Sequence, residues 1–267
     1  ARAAGGAADE ERRRRREEEE RAAWGGYKTE GAAAPGHGYR TEDIAPLAYR
    51  PEDIPVAVVA YNRAEYLQRS LASLLAVRGV RKEQVAVFQD GFDASVARVV
   101  RDSGLHLSQH PRSGEKEAAA HIAAHYHAVL LGVFQQYPAA RYAVLVEEDL
   151  IFAPDFLEFF AHYAPAMDLD PSLYCVTAYN DNGFEQLASD EGAVYRTEWF
   201  AGLGWLASRR LFETEWSPKW PQTHWDHWLR APEQRGAREC LYPEVPRDLH
   251  IGEHGANMDP VHFNRYN

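Results

Sequence analysis

The stretch IPVAVVAYNRAEYLQRSLASLLAVR, residues 54–78, contains the two patterns that decide the fold. Its first part, residues 54–62, is a short apolar run and predicts a buried strand. Its second part, residues 64–78, places four leucines on one face at helical spacing and predicts an amphipathic helix. A buried strand that leads directly into a helix is the unit from which parallel α/β sheets are built.

The same alternation continues along the chain. Residues 84–90 and 143–150 predict two further strands, and residues 93–104 and 118–137 predict two further helices. Such βαβ units form a mostly parallel sheet that binds its ligands at the carboxyl ends of the strands. Three candidate groups fall at these ends: Arg63, Asp90 and the acidic triplet Glu147, Glu148 and Asp149.

Composition limits the class of protein. The 267 residues are 45% hydrophobic and 12% aromatic, which suits one large α/β domain or a domain with a tail. The net charge of −11 disfavours nucleic acid or an anionic membrane surface as a partner. No apolar run approaches the ~20 residues of a membrane span, and the N-terminus lacks the apolar core of a secretory signal. Because the chain begins with Ala1 rather than methionine, an anchor in the full gene product is not excluded.

Residues 1–50 differ in composition from the rest of the chain. They contain ERRRRREEEER, residues 11–21, in which opposite charges recur at i,i+4 spacing without an apolar stripe to bury. We expect a solvated helix or disordered stalk here, and a protein-binding segment is the alternative. The globular domain is expected over residues 51–267.

The acidic triplet 147–149 raises the question of function. Carboxylates that directly follow a buried strand are well placed to hold Mg²⁺ or Mn²⁺ together with the phosphates of a nucleotide. A solvated loop or a helix N-terminus, where acids are also favoured, is the alternative. The triplet alone does not decide between them.

Other candidate residues also have two interpretations. Arg63 could contact a ligand or be a surface ion-pair residue. Asp90 could contact a ligand or be a turn residue. His121, His125 and His127 suggest a metal site by their spacing, although the third ring would point away from the helix face of the others and no cysteine is near. Ordinary histidines of a helix are the alternative.

Two further features leave alternatives open. Asp226, in WDHW, could act as a general base or cap a helix that starts at His227. Cys175 and Cys240 could form a disulfide or remain as two buried thiols. Trp205 could pack in the core or stack on a sugar, and residues 180–183 (NDNG) predict a turn.

An ordered set of motifs between residues 54 and 267 resembles the inverting glycosyltransferases of the N-acetylglucosaminyltransferase I family. The resemblance extends to the related protein O-mannose β-1,2-N-acetylglucosaminyltransferase. The motifs are, in chain order, IPVAVVAYNR, VFQDG, AHYHAVLLGVFQQYP, VEEDLIFAPDFLEFF, DPSLYCVTAYNDNG, YRTEWFAGLGWL, SPKWP, WDHWLRAPEQRGAREC and PEVPRDLHIGEHG.

The resemblance implies a GT-A (Rossmann-like) nucleotide-sugar-binding fold and a metal-dependent transfer of N-acetylglucosamine from UDP-GlcNAc to a glycan hydroxyl, mannose by expectation, with inversion to a β linkage. Asp149 matches the ligand of Mn²⁺ (or Mg²⁺), and Asp226 matches the catalytic base. The positions that match donor contacts are Arg63, Asp90, His125, Glu148 and Asn257. The family also implies a Cys175–Cys240 disulfide and a Golgi-lumen enzyme, anchored through a segment absent from this chain.

The chain departs from the family pattern in three respects. The triplet is EED rather than EDD, His227 replaces a second acid, and the family continues beyond Asn267 into a C-terminal domain that helps shape the acceptor site. A noncatalytic structural subunit with the same fold is therefore the alternative function, and the acceptor is the least determined feature.

Overall fold

A computed structural model of the chain describes residues 49–115 and 117–253. Within these ranges most strands belong to one sheet, and a short two-stranded sheet packs beside it. The strands are β1 (Val56–Ala60), β2 (Val85–Asp90), β3 (His106–His110), β4 (Tyr142–Glu147), β5 (Leu150–Phe152), β6 (Leu173–Thr177), β7 (Val194–Thr197), β8 (Trp205–Ser208), β9 (Glu239–Pro243) and β10 (Asp248–His250).

The helices mostly connect neighbouring strands. They are α1 (Ala64–Leu74), α2 (Ala94–Ser103), α3 (Ala118–Gln136), α4 (Phe156–Leu169), α5 (Arg209–Leu211), α6 (Trp225–Arg230) and α7 (Pro232–Arg235). Single 3₁₀ turns occur at Pro51–Asp53, Lys82–Gln84 and Ser217–Lys219, and α5 continues into a π-helical turn at Phe212–Trp216. None of the described helices combines the length and apolar character that crossing a bilayer requires.

The large sheet has the strand order β3-β2-β1-β4-β8-β6-β9-β7. Strands β1 to β4 are mutually parallel, as the βαβ pattern predicts. Strand β8 then runs antiparallel to both β4 and β6, while β6 pairs with β9 in parallel. The predicted α/β class with a mostly parallel sheet is confirmed.

Two apolar layers cover the faces of this sheet. Val56 and Val58 of β1 point into one layer, and Ala57 and Val59 point into the other, because successive strand residues face opposite sides. Every residue of β1 is buried, which explains why its sequence is apolar without alternation.

Some boundaries differ from the sequence-based expectations. Helix α1 ends at Leu74 rather than residue 78, and the chain leaves it through a turn in which Gly79 has φ +77°. Strand β3 was not predicted, because it lies at the sheet edge and its five residues, HLSQH, are mostly polar and are exposed or only partly buried.

The segment 143–150 is not one continuous strand. Strand β4 ends at Glu147, and Leu150 begins β5, which pairs antiparallel with β10. Glu148 and Asp149 therefore occupy the connection between a central strand of the large sheet and the small sheet. Both sheets hold this connection in place.

The structure decides between the alternatives for the two cysteines and for Trp205, and it tests the predicted turn at residues 180–183. Cys175 and Cys240 face each other on β6 and β9 and form a disulfide, with 4.6 Å between their Cα atoms. Trp205 is 1% exposed and packs in the core, so its interpretation as a sugar contact is wrong. The predicted turn is present, because Gly183 N donates to Asn180 O at 2.9 Å.

Two predictions concern residues that lie wholly or mostly outside the described ranges. The predicted stalk, residues 1–50, lies outside the described residues apart from its last two positions, and Asn257 lies outside them as well. Tyr49 already belongs to the folded body, since its hydroxyl donates to Asp168 Oδ2 at 2.7 Å.

Candidate active site

The carboxyl ends of three adjacent strands bring the candidate residues together. Strand β1 lies between β2 and β4, so Arg63 after β1 meets the acids that follow β4. Its Nε donates to Glu148 Oε1 at 2.8 Å, and its Nη1 lies 2.7 Å from Asp149 Oδ2. Arg63 is therefore an ion-pair residue, as its alternative interpretation expected, but its partners are buried acids of the candidate site.

Glu148 is almost completely buried and joins two strands. The residue is 2% exposed, and its second oxygen, Oε2, accepts from Tyr61 N at 2.9 Å. Burial raises the pKa of Glu148, although the hydrogen bond and charge of Arg63 act in the opposite direction. The carboxylate thus ties the end of β4 to the end of β1 and orients Arg63.

Asp149 has one oxygen in the network and one outside it. Oδ2 contacts Arg63 and lies 3.2 Å from His250 Nε2, whereas buried Oδ1 accepts no hydrogen bond from the described residues. Burial acts to raise the pKa of Asp149, but the hydrogen bond with His250 and the charge of Arg63 outweigh it, so the pKa is lowered. The carboxylate is ionised at neutral pH.

The surroundings of Asp149 fit a hard divalent cation. A buried, ionised carboxylate oxygen without a partner is the type of ligand that Mn²⁺ and Mg²⁺ use. A Cβ on Gly252 would lie 2.1 Å from Asp149 Oδ2, so glycine is needed for the carboxylate to lie here. The alternatives of a solvated loop and a helix N-terminus are wrong, because Asp149 is 1% exposed and the next helix begins at Phe156.

Glu147 connects the acidic triplet to helix α6. The hydroxyl of Tyr126 on α3 donates a hydrogen bond to Glu147 Oε1 at 2.5 Å. The Tyr126 ring stacks on Trp225 with 4.0 Å between the ring centroids. Burial and the negative charge of Asp149 raise the pKa of Glu147. Tyr126 therefore couples the position of the acidic triplet to the position of α6.

Asp226 lies in the first turn of α6. The N-cap residue is His224, in the left-handed region with φ 47° and ψ 52°, so the alternative that Asp226 caps the helix is wrong. The neighbouring Trp225 is buried in the core, whereas the Asp226 side chain is 33% exposed. Arg230 Nη1 donates to Asp226 Oδ2 at 2.8 Å and fixes the orientation of the carboxylate.

Asp90 and His125 lie close together at the end of β2. Asp90 is 6% exposed and accepts from Arg112 Nε at 3.1 Å, and His125 Nδ1 lies 2.7 Å from His110 Nε2. Burial and then the neighbouring His110 lower the pKa of His125 to about 3, so its ring is neutral. Asp90, His110 and His125 offer ligand atoms within 4.8 Å of one another, but the guanidinium of Arg112 already neutralises the carboxylate.

The other two histidines of the HxxxHxH motif point elsewhere. His121 Nδ1 lies 2.8 Å from Ser113 Oγ, and His127 Nε2 lies 2.9 Å from Ser217 Oγ. Since each of the three rings contacts a different partner, the metal-site interpretation of this motif has no geometric support.

Several residues of the site were not identified from the sequence as functional candidates. They are the partners of the predicted residues: His110, Arg112, Tyr126, Arg230, His250 and Gly252. A signal existed for some of them, because Tyr126, Arg230, His250 and Gly252 lie inside the motifs that resemble the family. Their roles depend on contacts between distant segments, so the motifs did not indicate them individually.

Comparison with known proteins gives a consistent result. The sequence profile of the GNT-I family matches residues 36–266. An alpha-1,3-mannosyl-glycoprotein 2-beta-N-acetylglucosaminyltransferase from Arabidopsis thaliana is 36% identical over an alignment of 222 residues, which covers 79% of this chain and 49% of the relative. The chain thus spans about half the length of the curated relative that it matches.

Solved structures with similar folds are distant. A mannosyltransferase from Pyrobaculum calidifontis, solved with GDP-Man and Mn²⁺, has a TM-score of 0.45 and 17% identity over 74% of this chain and 59% of that one. A glucosyl-3-phosphoglycerate synthase from Mycobacterium tuberculosis, solved with Mn²⁺, UDP and phosphoglyceric acid, has a TM-score of 0.48 and 12% identity over 86% and 79%.

The fold is the GT-A class that the sequence predicts, with the acidic connection at the carboxyl edge of its parallel strands. The profile covers the whole described part of the domain, including every strand that contributes to the site. The chain therefore belongs to the GNT-I family.

Proposed function

We propose that this protein is a metal-dependent, inverting glycosyltransferase that moves N-acetylglucosamine from UDP-GlcNAc to a mannose hydroxyl of a glycan, forming a β linkage. One observation carries the proposal: a buried, ionised Asp149 with an unpartnered oxygen is coupled through Glu147, Tyr126 and Trp225 to the helix that bears Asp226. A metal ligand and a base candidate held in one packed unit suit group transfer between two bound substrates.

The donor and acceptor classes are supported by the family. The Arabidopsis relative is named as a 2-beta-N-acetylglucosaminyltransferase that acts on an alpha-1,3-mannosyl glycoprotein. The acidic connection lies at the carboxyl edge of the parallel strands, where α/β sheets bind nucleotides. UDP-GlcNAc and a mannose-bearing glycan are the substrates that fit both facts.

In the proposed mechanism Asp149 would hold a Mn²⁺ or Mg²⁺ ion, whose positive charge would stabilise the negative charge that develops on the UDP leaving group. Arg63 holds Asp149 and Glu148 in place through its two contacts. Asp90 accepts a hydrogen bond from the nucleoside, and the neutral His125 ring donates or accepts one. Asn257 completes the proposed set of donor contacts.

Asp226 acts as the general base in this mechanism. The acceptor hydroxyl must lose its proton as it attacks the anomeric carbon on the side opposite UDP. The Asp226 carboxylate is partly exposed, so a substrate can reach it, and Arg230 restricts its orientation. Binding both substrates in a fixed relation supplies much of the expected rate enhancement.

The Golgi lumen is the proposed location. The Cys175–Cys240 disulfide is compatible with an oxidising compartment, and the Arabidopsis relative acts on a glycoprotein by its name. Residues 1–50 are proposed as a stalk or as a site for a protein partner.

Calorimetry with UDP-GlcNAc, with and without Mn²⁺, tests the proposal. The wild type should bind the donor tightly only with the metal, and Asp149→Ala should remove the metal-dependent part of the affinity. Asp102→Ala, which removes an exposed carboxylate on α2, is the matched control and should bind like the wild type.

Two results would contradict the proposal. Metal-dependent binding that is unchanged in Asp149→Ala would place the cation elsewhere. A wild type that binds no donor, with or without Mn²⁺, would favour the noncatalytic structural subunit.

A further inference from the structure

An exposed indole lies beside the proposed base. Trp199 follows strand β7 and is 42% exposed, in contrast to the deeply buried Trp205, Trp216 and Trp225. Its backbone N donates to Thr197 Oγ1 at 3.0 Å, which fixes the turn in which it lies. Single exposed apolar side chains are common on protein surfaces. A large exposed ring close to the proposed base Asp226 is less common, and it offers a surface on which a ligand could stack.

Arg230 connects this ring to Asp226. The guanidinium carbon of Arg230 lies 4.3 Å from the centroid of the Trp199 ring. The same guanidinium donates to Asp226 Oδ2 at 2.8 Å and to Phe200 O at 2.7 Å. Because Phe200 is completely buried, Arg230 is anchored to the core and sets the spacing between the indole and the carboxylate.

A second carboxylate is hydrogen-bonded to the same ring. The Trp199 indole donates a hydrogen bond to Asp181, which belongs to the turn at residues 180–183. Two hydrogen bonds hold that turn, since Gly183 N donates to Asn180 O and Asn182 N donates to Asn180 Oδ1, both at 2.9 Å. The Trp199 ring therefore interacts with two acids. It contacts Asp181 by a hydrogen bond and is linked to Asp226 through Arg230.

We propose that Trp199 is the stacking platform for the acceptor pyranose, and that Asp181 and Asp226 accept hydrogen bonds from its hydroxyl groups. A pyranose has an apolar face of C–H groups that packs on an aromatic ring, while the hydroxyl groups on its rim donate hydrogen bonds to carboxyl oxygens. Charged groups around one ring suit a sugar better than an apolar protein surface. The identification of the bound sugar as the acceptor rests on the proposed function.

Direct binding measurements test the platform separately from catalysis. Binding of methyl α-D-mannopyranoside is measured by saturation-transfer NMR and calorimetry on the full chain with UDP and Mn²⁺ present. Trp199→Ala should weaken this binding by about tenfold or more, because the aromatic stacking surface is removed. Trp199→Phe, which keeps a ring, should retain most of the affinity.

Tyr195→Ala is the matched control. Tyr195 is an equally exposed aromatic residue on β7, at 46%, but its ring packs with Tyr242 and its hydroxyl bonds Glu244. This variant should bind the mannoside like the wild type. UDP affinity should be unchanged in all variants, which shows that each is folded.

Transfer assays separate this proposal from the proposed function. If transfer occurs, Trp199→Ala should raise the acceptor KM while kcat stays near the wild-type value. If no transfer occurs but mannoside binding still depends on Trp199, the platform is supported and the catalytic proposal fails. Equal mannoside affinity in the wild type and Trp199→Ala, or no detectable binding by the wild type, would overturn the platform.

Discussion

Replacing Asp248 with asparagine is expected to stabilise the protein at neutral and alkaline pH and to have much less effect in acid. Asp248 lies on β10 and is 4% exposed, and neither carboxylate oxygen accepts a hydrogen bond from another described residue. Its side chain packs directly against Gly204, where an added Cβ would lie 1.8 Å from Oδ2. An ionised carboxylate in this position has no compensation for lost hydration.

Proton linkage gives the direction in which the stability difference between the wild type and Asp248→Asn changes with pH. Burial raises the pKa of Asp248 well above its ordinary value of 3.8. A raised folded-state pKa contributes stability that is fully present below the unfolded pKa and is lost as pH rises toward the folded pKa. Across that window the wild type loses stability relative to Asp248→Asn by up to about 1.4 kcal/mol per pH unit. Each kcal/mol corresponds to about 2–4 °C in Tm for a domain of this size.

Urea and thermal unfolding between pH 4 and pH 8 measure this effect. Because asparagine keeps the shape of the side chain, the change of the stability difference with pH reports the ionisation alone. Asp170→Asn is the control, since Asp170 is also buried but pairs with Arg196 at 2.9 Å and accepts from Ser172. This control should be destabilised at neutral pH. A stability difference for Asp248→Asn that stays constant from pH 4 to pH 8 would refute the reasoning.

Three further variants test the candidate site and the fold. Asp226→Asn should leave donor affinity unchanged in calorimetry and lower transfer by about 10²–10⁴-fold, as expected for a lost general base; parental activity would exclude that role. Gly252→Ala should weaken Mn²⁺ binding without unfolding, because its Cβ would lie 2.1 Å from Asp149 Oδ2; unchanged metal affinity would show that the carboxylate can move aside. Replacing Cys175 and Cys240 by serine opens a link across 65 residues and should cost about 4 kcal/mol in chain entropy; equal urea midpoints would contradict this.

The sequence by itself determined the α/β class and the location of the candidate site. Apolar runs and leucine spacing are local patterns, and they predicted β1 and α1 because a buried strand and an amphipathic helix each require one periodicity. The parallel arrangement then places the ends of β1, β2 and β4 at one edge. The sequence alone therefore places Arg63, Asp90 and the acidic triplet at the same edge of the sheet.

Only the tertiary structure decided which partner each of these groups has. Asp149 meets His250 across 101 positions of the chain, Arg63 meets Glu148 across 85, and Trp199 stacks with Arg230 on another segment. It also placed Trp205 in the core and ended α1 at Leu74, which its periodicity alone did not require. The physical reason is that periodicity reports how each residue relates to its near neighbours, whereas burial and ion pairing depend on which distant segments the packed sheet brings into contact.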